Sequence, residues 1–179
     1  RIALVQPYIP AGKSLGIEKA PESIQALAGQ LEREGHSVQM FHEQAGEELD
    51  HKLADFDPDY VGISTMTANF PEGKKVAKAV KGINPQMSVI LGGWHASGVV
   101  QAYLRGQESE TIEEILNSDS PFDFLVAGEG DLVLPEIVKK LSRDLDVRGL
   151  NGVGYFTDGK VNVSVADRIK NLDDLADPS

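Results

Sequence analysis

Apolar positions along the chain follow two rhythms in turn. Short unbroken apolar runs read as strands buried in a sheet: Ile2 to Val5, Val38 to Phe41, Tyr60 to Ser64, Val89 to Leu91 and Asp123 to Ala127. Between them, apolar residues recur at helical spacing. Ile24, Leu27, Ala28 and Leu31 mark a helix that Pro21 opens and Gly35 stops. Leu49, Leu53 and Phe56 mark a short second helix. Val76, Val80 and Ile83 give the inner face of a third, with Asn69 as its cap and Pro71 in its first turn. Residues 97 to 118 read as helical but broken at Gly106, and Leu134, Ile137, Val138 and Leu141 form the stripe of a closing helix.

Strands alternating with helices predict an α/β domain: a five-stranded parallel sheet with helices on both faces. Right-handed crossovers leave few strand orders, of which the flavodoxin-like (Rossmann-like) order 2-1-3-4-5 is favoured, with its switch point between the first and third strands. Four loops then meet at the C-terminal edge of the sheet: Gln6 to Gly16, Thr65 to Asn69, Gly92 to Ser97 and Gly128 to Asp131. A ligand belongs at that edge. Past Arg143 the pattern changes. Val153 to Thr157 and Val161 to Val165 flank Asp158-Gly159, a hairpin turn signal, and the polar stretch Asp167 to Ser179 reads as a linker. The division expected is an α/β domain over residues 1–143 and a hairpin with linker over 144–179.

Charge and composition narrow the partners. The formal net charge is −11, which speaks against nucleic acid or an anionic membrane, since both require a positive footprint. No apolar run is long enough to span a bilayer and nothing resembles a secretory leader, so the expected location is cytoplasmic. Cysteine is absent, which removes disulfides, a thiolate nucleophile and any thiolate-held metal or iron–sulfur cluster from this stretch. Arg1 already stands inside an apolar run and the polar tail leads nowhere, so the chain reads as a piece of a longer protein.

The edge loops carry the candidate chemistry. "QPYIPAGKSLG" lacks both the G-x-G-x-x-G of a dinucleotide site and the glycine–lysine spacing of a P-loop; Pro7 and Pro10 make it either a stiff surface loop or a rigid wall beside a ligand. In "STMTAN", Ser64, Thr65 and Thr67 can donate hydrogen bonds and Met66 offers an adaptable apolar contact, although such hydroxyls also satisfy local backbone. Gly92 and Gly93 remove two side chains at the sheet rim, as a tight turn or as a trough for a flat ligand. Trp94 is a stacking wall or a half-buried core residue; His95 is a metal ligand, a hydrogen-bond donor or a helix cap. Gly128 and Gly130 allow close approach, Asp131 suits a helix N-terminus, and Glu129 is free to accept from a ligand hydroxyl or amide. None of these groups forms a catalytic constellation. On the residues alone, the chain binds something and does little chemistry.

Three stretches taken in order, "DYVGISTMTAN", "ILGGWHAS" and "DFLVAGEGDLVLPEIVKKL", resemble the cobalamin-binding domain that precedes the catalytic core of cobalamin-dependent radical SAM enzymes. The hairpin "GVGYFTDGKV" and the tail "RIKNLDDLADPS" resemble the segment joining that domain to the radical SAM barrel. The resemblance implies a corrinoid whose nucleotide tail passes Gly92 and Gly93. Ser64 to Thr67 would bond the tail or line the face beneath the ring, and Gly128, Glu129 and Gly130 would border the cofactor. It also implies a covalently linked domain holding S-adenosylmethionine and a 4Fe-4S cluster, with methyl transfer as the commonest reaction.

Many cobalamin modules carry D-x-H-x-x-G after the first strand, the histidine ligating cobalt from below. Here that stretch reads Gln6-Pro7-Tyr8-Ile9-Pro10-Ala11-Gly12. Tyr8, with Ile9 beside it, stands where the histidine would be. By the resemblance, cobalamin would be held base-off with no protein histidine on cobalt, as a ready methyl donor. Two rivals fit less well. A flavodoxin-like receiver or partner-binding module needs an aspartate at a strand end, where Gln6 and Ser64 stand instead. A flavin or nucleotide-sugar domain needs a phosphate loop richer in Gly, Ser or Thr after the first strand.

Overall fold

The computed structural model describes residues 1–8, 22–44, 46–107, 110–170 and 175–177. Its strands are β1 (Ile2–Pro7), β2 (Val38–Gln44), β3 (Tyr60–Ser64), β4 (Ser88–Gly92), β5 (Phe124–Val126), β6 (Val153–Thr157) and β7 (Lys160–Asn162). The helices are α1 (Glu22–Arg33), α2 (Gly46–Phe56), α3 (Phe70–Ile83), α4 (Gly93–Leu104), α5 (Glu110–Ile115) and α6 (Gly130–Leu141). The strand order is β2-β1-β3-β4-β5-β6-β7. The first five run parallel, and β6 and β7 return antiparallel along the edge of β5. The parallel part is the flavodoxin-like arrangement read from the sequence, and the hairpin extends the same sheet. Its turn has positive φ at both central residues, 51° at Asp158 and 73° at Gly159, as a two-residue hairpin loop requires.

Alternation along each strand sends successive side chains to opposite faces. Leu4 and Ile90 join Ile24, Leu31, Leu134 and Ile137 in a core beneath α1 and α6. Val5 and Leu91 point the other way, into a core closed by Leu53 of α2, Val80 of α3, Val100 of α4 and Ile112 of α5. Two apolar layers explain the unbroken strand runs, because both faces of each central strand are covered.

Several local readings change. Ile83, expected on the inner face of its helix, is 39% exposed, because it is the last residue of α3 and lies beyond the packed stripe. Asn69 occupies the cap position of α3 without bonding its helix. Its Oδ1 instead accepts from the Met66 amide at 2.8 Å and its Nδ2 donates to the Pro7 carbonyl at 2.8 Å, tying the β3 loop to the end of β1. The expected loop from Gly92 to Ser97 is helical from Gly93 onward, since Ala96, Val99 and Val100 carry one buried stripe down from the strand end. Residues 97–118 are two helices with Gly106, at φ 71°, between them.

The C-terminal tail departs most from its reading. The second hairpin strand ends at Asn162, and Val163 to Val165 leave the ladder. The Ala166 amide donates to the Ala127 carbonyl at 2.8 Å. Ala166 packs so closely on Gly152 that a Cβ there would lie 2.7 Å from its own. Farther on, the Ile169 amide donates to Glu129 Oε2 at 2.6 Å and the Ala176 amide to Gln30 Oε1 at 3.1 Å. The described residues from Val165 to Lys170 thus form a strap held across the C-terminal edge, and Ala176 is attached to α1 as well. The tail's polar composition hid this, because backbone donors make the attachments.

Candidate functional site

The parallel sheet reverses its winding between β1 and β3, and the crevice at that point is where open α/β sheets take their ligands. A cavity of about 670 Å³ opens there. Its floor is built by strand register: Leu4 pairs with Gly62 and Gly62 with Ile90. Gly62 contributes no side chain and Leu4 packs over it, so the furrow is floored by apolar side chains rather than open to the strand backbone. A Cβ at Gly62 would meet Leu4 Cδ2 at 3.0 Å and Leu134 Cδ2 at 3.8 Å. Ile24 and Leu27 from α1 and Leu134 from α6 wall the furrow.

Polar groups stand around this floor. Ser23 and Asp131 come from the first turns of α1 and α6, and Ser64 ends β3. Ser97 of α4 accepts from the Gly128 amide at 3.0 Å, and Val165, Ala166 and Arg168 of the strap complete the lining. Arg168 is the single cationic side chain among the described lining residues, facing a rim that also carries Glu129 and Asp131. Burial raises the Asp131 carboxyl above the usual range, and the neighbouring Glu129 charge adds to the effect.

Of the residues singled out from the sequence, Ser64, Gly92, Gly93, Trp94, Gly128, Glu129 and Gly130 line this cavity. The two glycines of the pair differ. A Cβ on Gly92 would meet nothing within 4 Å. At Gly93 (φ 90°) it would strike the backbone of Thr65, so what comes close to Gly93 is the chain's own β3 loop. Likewise the neighbour pressed on Gly128 is Ala166 of the strap, whose amide nitrogen a Cβ there would approach to 3.2 Å. Trp94, in the first turn of α4, is 84% exposed, an unusual state for an indole bordering an apolar cavity.

The other candidates lie elsewhere. Thr65 is buried, and its methyl faces Gly73 of α3. Met66 is half-buried and Thr67 exposed; neither lines the cavity. His95 is buried on the opposite side of the strand ends, its ring stacked on Phe70 at a centroid distance of 4.0 Å, with Nδ1 3.3 Å from Thr67 Oγ1. Desolvation lowers its pKa, opposed in part by the Glu114 carboxylate. Among the described residues no cluster of three or more His, Cys, Asp or Glu is placed to hold a metal. Tyr8 follows β1, 37% exposed and outside the lining. Ile9 lies outside the described residues.

The sequence reading missed the floor and the strap. Gly62 carried a usable signal, a glycine inside an otherwise apolar strand, which marks close approach to the backbone. Ser97 closes an edge loop read from the sequence, while Gln101 and Arg168 gave no signal, since they reach the site only through the path of α4 and the strap.

The lining suits a corrinoid's nucleotide tail in two respects. The floor accepts an aromatic base without desolvating protein polar groups, and the rim offers hydroxyl, amide and guanidinium groups to ribose and phosphate.

Comparison with known proteins agrees. Residues 14–138 match the profile of the B12 binding domain family. An uncharacterized methyltransferase of Pyrococcus horikoshii is 30% identical over 186 residues, spanning 100% of this chain and 38% of the relative. An anaerobic magnesium-protoporphyrin IX monomethyl ester cyclase of Rubrivivax gelatinosus is 24% identical, with 97% and 31% covered. The chain therefore spans about a third of the length of these curated relatives. Among solved structures, the radical S-adenosylmethionine methyltransferase TsrM of Kitasatospora setae shares the fold with a TM-score of 0.63 at 18% identity, over 93% of this chain and 30% of that one. The cobalamin-dependent radical enzyme OxsB, solved with aqua-cobalamin, gives 0.67 at 18% identity, over 93% and 22%. With a profile match over most of its length and a cavity of suitable chemistry at the switch point of its sheet, the chain belongs to the B12 binding domain family.

Proposed function

We propose that the chain holds cobalamin base-off as the cofactor domain of a radical SAM enzyme, and that the parent reaction is methyl transfer. The observation that carries the reading is an apolar furrow at the switch point with an exposed indole, Trp94, at its mouth. In this assignment the furrow takes the nucleotide tail, with Gly92 leaving its entrance clear. Ser64, Ser97 and Gln101 bond amides or ribose hydroxyls, Arg168 faces the phosphate, and Glu129 and Gly130 border the ring. Thr65, Met66 and Thr67 shape the shelf beyond β3. Tyr8 stands at the sequence position of the lower-ligand histidine, followed in the chain by Ile9. Among the described lining residues there is no histidine, and His95 is engaged in the opposite core, which supports a cobalt without a protein imidazole.

The bound corrinoid supplies the methyl group in such a reaction; the chain itself binds, orients and shields. S-adenosylmethionine and the 4Fe-4S cluster are assigned to a linked domain, toward which residues 144–179 would lead, because this chain has no cysteine to ligate iron. The two solved radical enzymes of S-adenosylmethionine support the parent class, and one relative and one solved enzyme named as methyltransferases favour methyl transfer over the cyclisation that another relative is named for. Among the described residues no helix is long and apolar enough to cross a membrane, and we place the protein in the cytoplasm.

The test is a titration with hydroxocobalamin, followed by gel filtration and absorbance. Trp94 is the only tryptophan, so quenching of its fluorescence reports occupancy directly. Co-elution with a base-off spectrum supports the reading. A folded chain that neither retains corrinoid nor shows quenching refutes it.

A further inference from the structure

We infer that the furrow selects the lower base of the corrinoid, favouring a benzimidazole over a purine; the inference rests on the cobalamin reading above. The floor and walls that a tail base would reach are Leu4, Ile24, Leu27, Ile90, Val126 and Leu134, with Gly62 between the strands. None of these side chains carries a hydrogen-bonding group. The strand amides and carbonyls around Gly62 are already committed to the β1–β3 and β3–β4 ladders. Every charged or hydroxyl-bearing residue among the described lining residues comes from an element end, from α4 or from the strap, not from the middle of a strand.

A dimethylbenzimidazole presents a carbon edge and two methyl groups to such a surface. Adenine presents an exocyclic amine and ring nitrogens, which would leave water without finding partners. Buried unpaired polar groups of this kind weaken binding by roughly 10- to 100-fold. The two methyls act in the same direction, each adding about a fourfold gain when buried. The site reads the base by what it withholds, much as a hydrophobic pocket excludes a polar analogue.

The experiment compares three corrinoids on the same chain by Trp94 quenching and calorimetry: cobalamin, its adenine analogue pseudocobalamin, and cobinamide, which lacks the nucleotide. Cobalamin should bind tightest, with pseudocobalamin at least about 100-fold weaker. Leu27→Gln, at a half-buried wall position, supplies a donor and acceptor and should shrink that ratio severalfold while the melting curve confirms folding. Equal affinities for cobalamin and pseudocobalamin would overturn the selectivity and leave the cobalamin reading intact. Equal affinities for all three would show that the tail lies outside the furrow, which also overturns it. Failure of a folded chain to bind any of them refutes the functional reading itself. If Leu27→Gln does not fold, the comparison on the unsubstituted chain decides alone.

Discussion

Two adjacent glycines should respond to the same substitution in opposite ways. At Gly93 the backbone sits at φ 90°. An alanine Cβ there would lie 2.6 Å from the Thr65 carbonyl oxygen, 2.8 Å from the Thr65 nitrogen and 2.9 Å from Ser64 Oγ. Two of these are backbone atoms of a clamp in which the Thr65 amide donates to the Gly92 carbonyl at 3.1 Å and the His95 amide to the Thr65 carbonyl at 3.0 Å. Left-handed strain costs about 1–3 kcal/mol for a residue with a Cβ. Breaking one clamp bond adds about 1 kcal/mol. A total near ~3 kcal/mol lowers the melting temperature of a chain this size by roughly 6–12 °C.

Gly92 has extended backbone, φ −138° and ψ −167°, and free space where a Cβ would go. Gly92→Ala should therefore melt within about 2 °C of the unsubstituted chain. Gly92→Val, which reaches farther into the cavity, should weaken cobalamin binding by about 10-fold. Thermal melts by circular dichroism and corrinoid titrations on both variants separate the two roles. The reasoning fails if Gly93→Ala melts with the unsubstituted chain, or if Gly92→Ala loses as much stability as Gly93→Ala.

Three further outcomes are expected. Trp94→Ala should change stability by less than about 0.5 kcal/mol, because the indole is 84% exposed, yet weaken cobalamin binding by about 10-fold; calorimetry on the variant checks it. The His95 pKa is lowered from 6.5 by burial, so its contribution to stability is complete above pH 6.5 and is lost as the pH falls through the folded-state value. His95→Phe keeps an aromatic ring against Phe70 and should flatten the stability profile below pH 6.5 in urea midpoints taken from about pH 7.5 to about pH 5. Glu129→Ala removes the acceptor for the Ile169 amide and should raise hydrogen exchange around residues 166–169 several-fold with little change in the β1–β4 core. Unchanged exchange would show that the remaining contacts, those of Ala166 among them, hold the strap without Glu129.

The five-strand order was legible because each buried strand is a compact apolar run and each crossover carries its own helical stripe. Both signals are local and strong. The edge residues were legible for the same reason, since glycines and small hydroxyls directly follow predicted strands. What lay hidden depended on long-range placement. Asn69 looks like a helix cap from its neighbours, yet its partners are Met66 and Pro7, the latter 62 residues away. The division of labour between Gly92 and Gly93 follows from the path of the β3 loop, which no spacing rule contains. Trp94 and His95 are adjacent, but the first turn of α4 sends one to the cavity and the other into the opposite core.

The strap has a consequence for how the domain communicates. Val165, Ala166 and Arg168 are wall to the cavity, while the same segment is pinned to Ala127, Glu129 and, through Ala176, to Gln30 of α1. Occupancy of the cavity and seating of the strap are therefore two equilibria sharing one set of contacts. Linkage makes their coupling reciprocal: whatever free energy the cofactor gains from a seated strap, the strap gains from a bound cofactor. A pull on the strap from farther along the chain would register as a change in cofactor affinity, and loading the cofactor would stiffen the path along which that pull is transmitted.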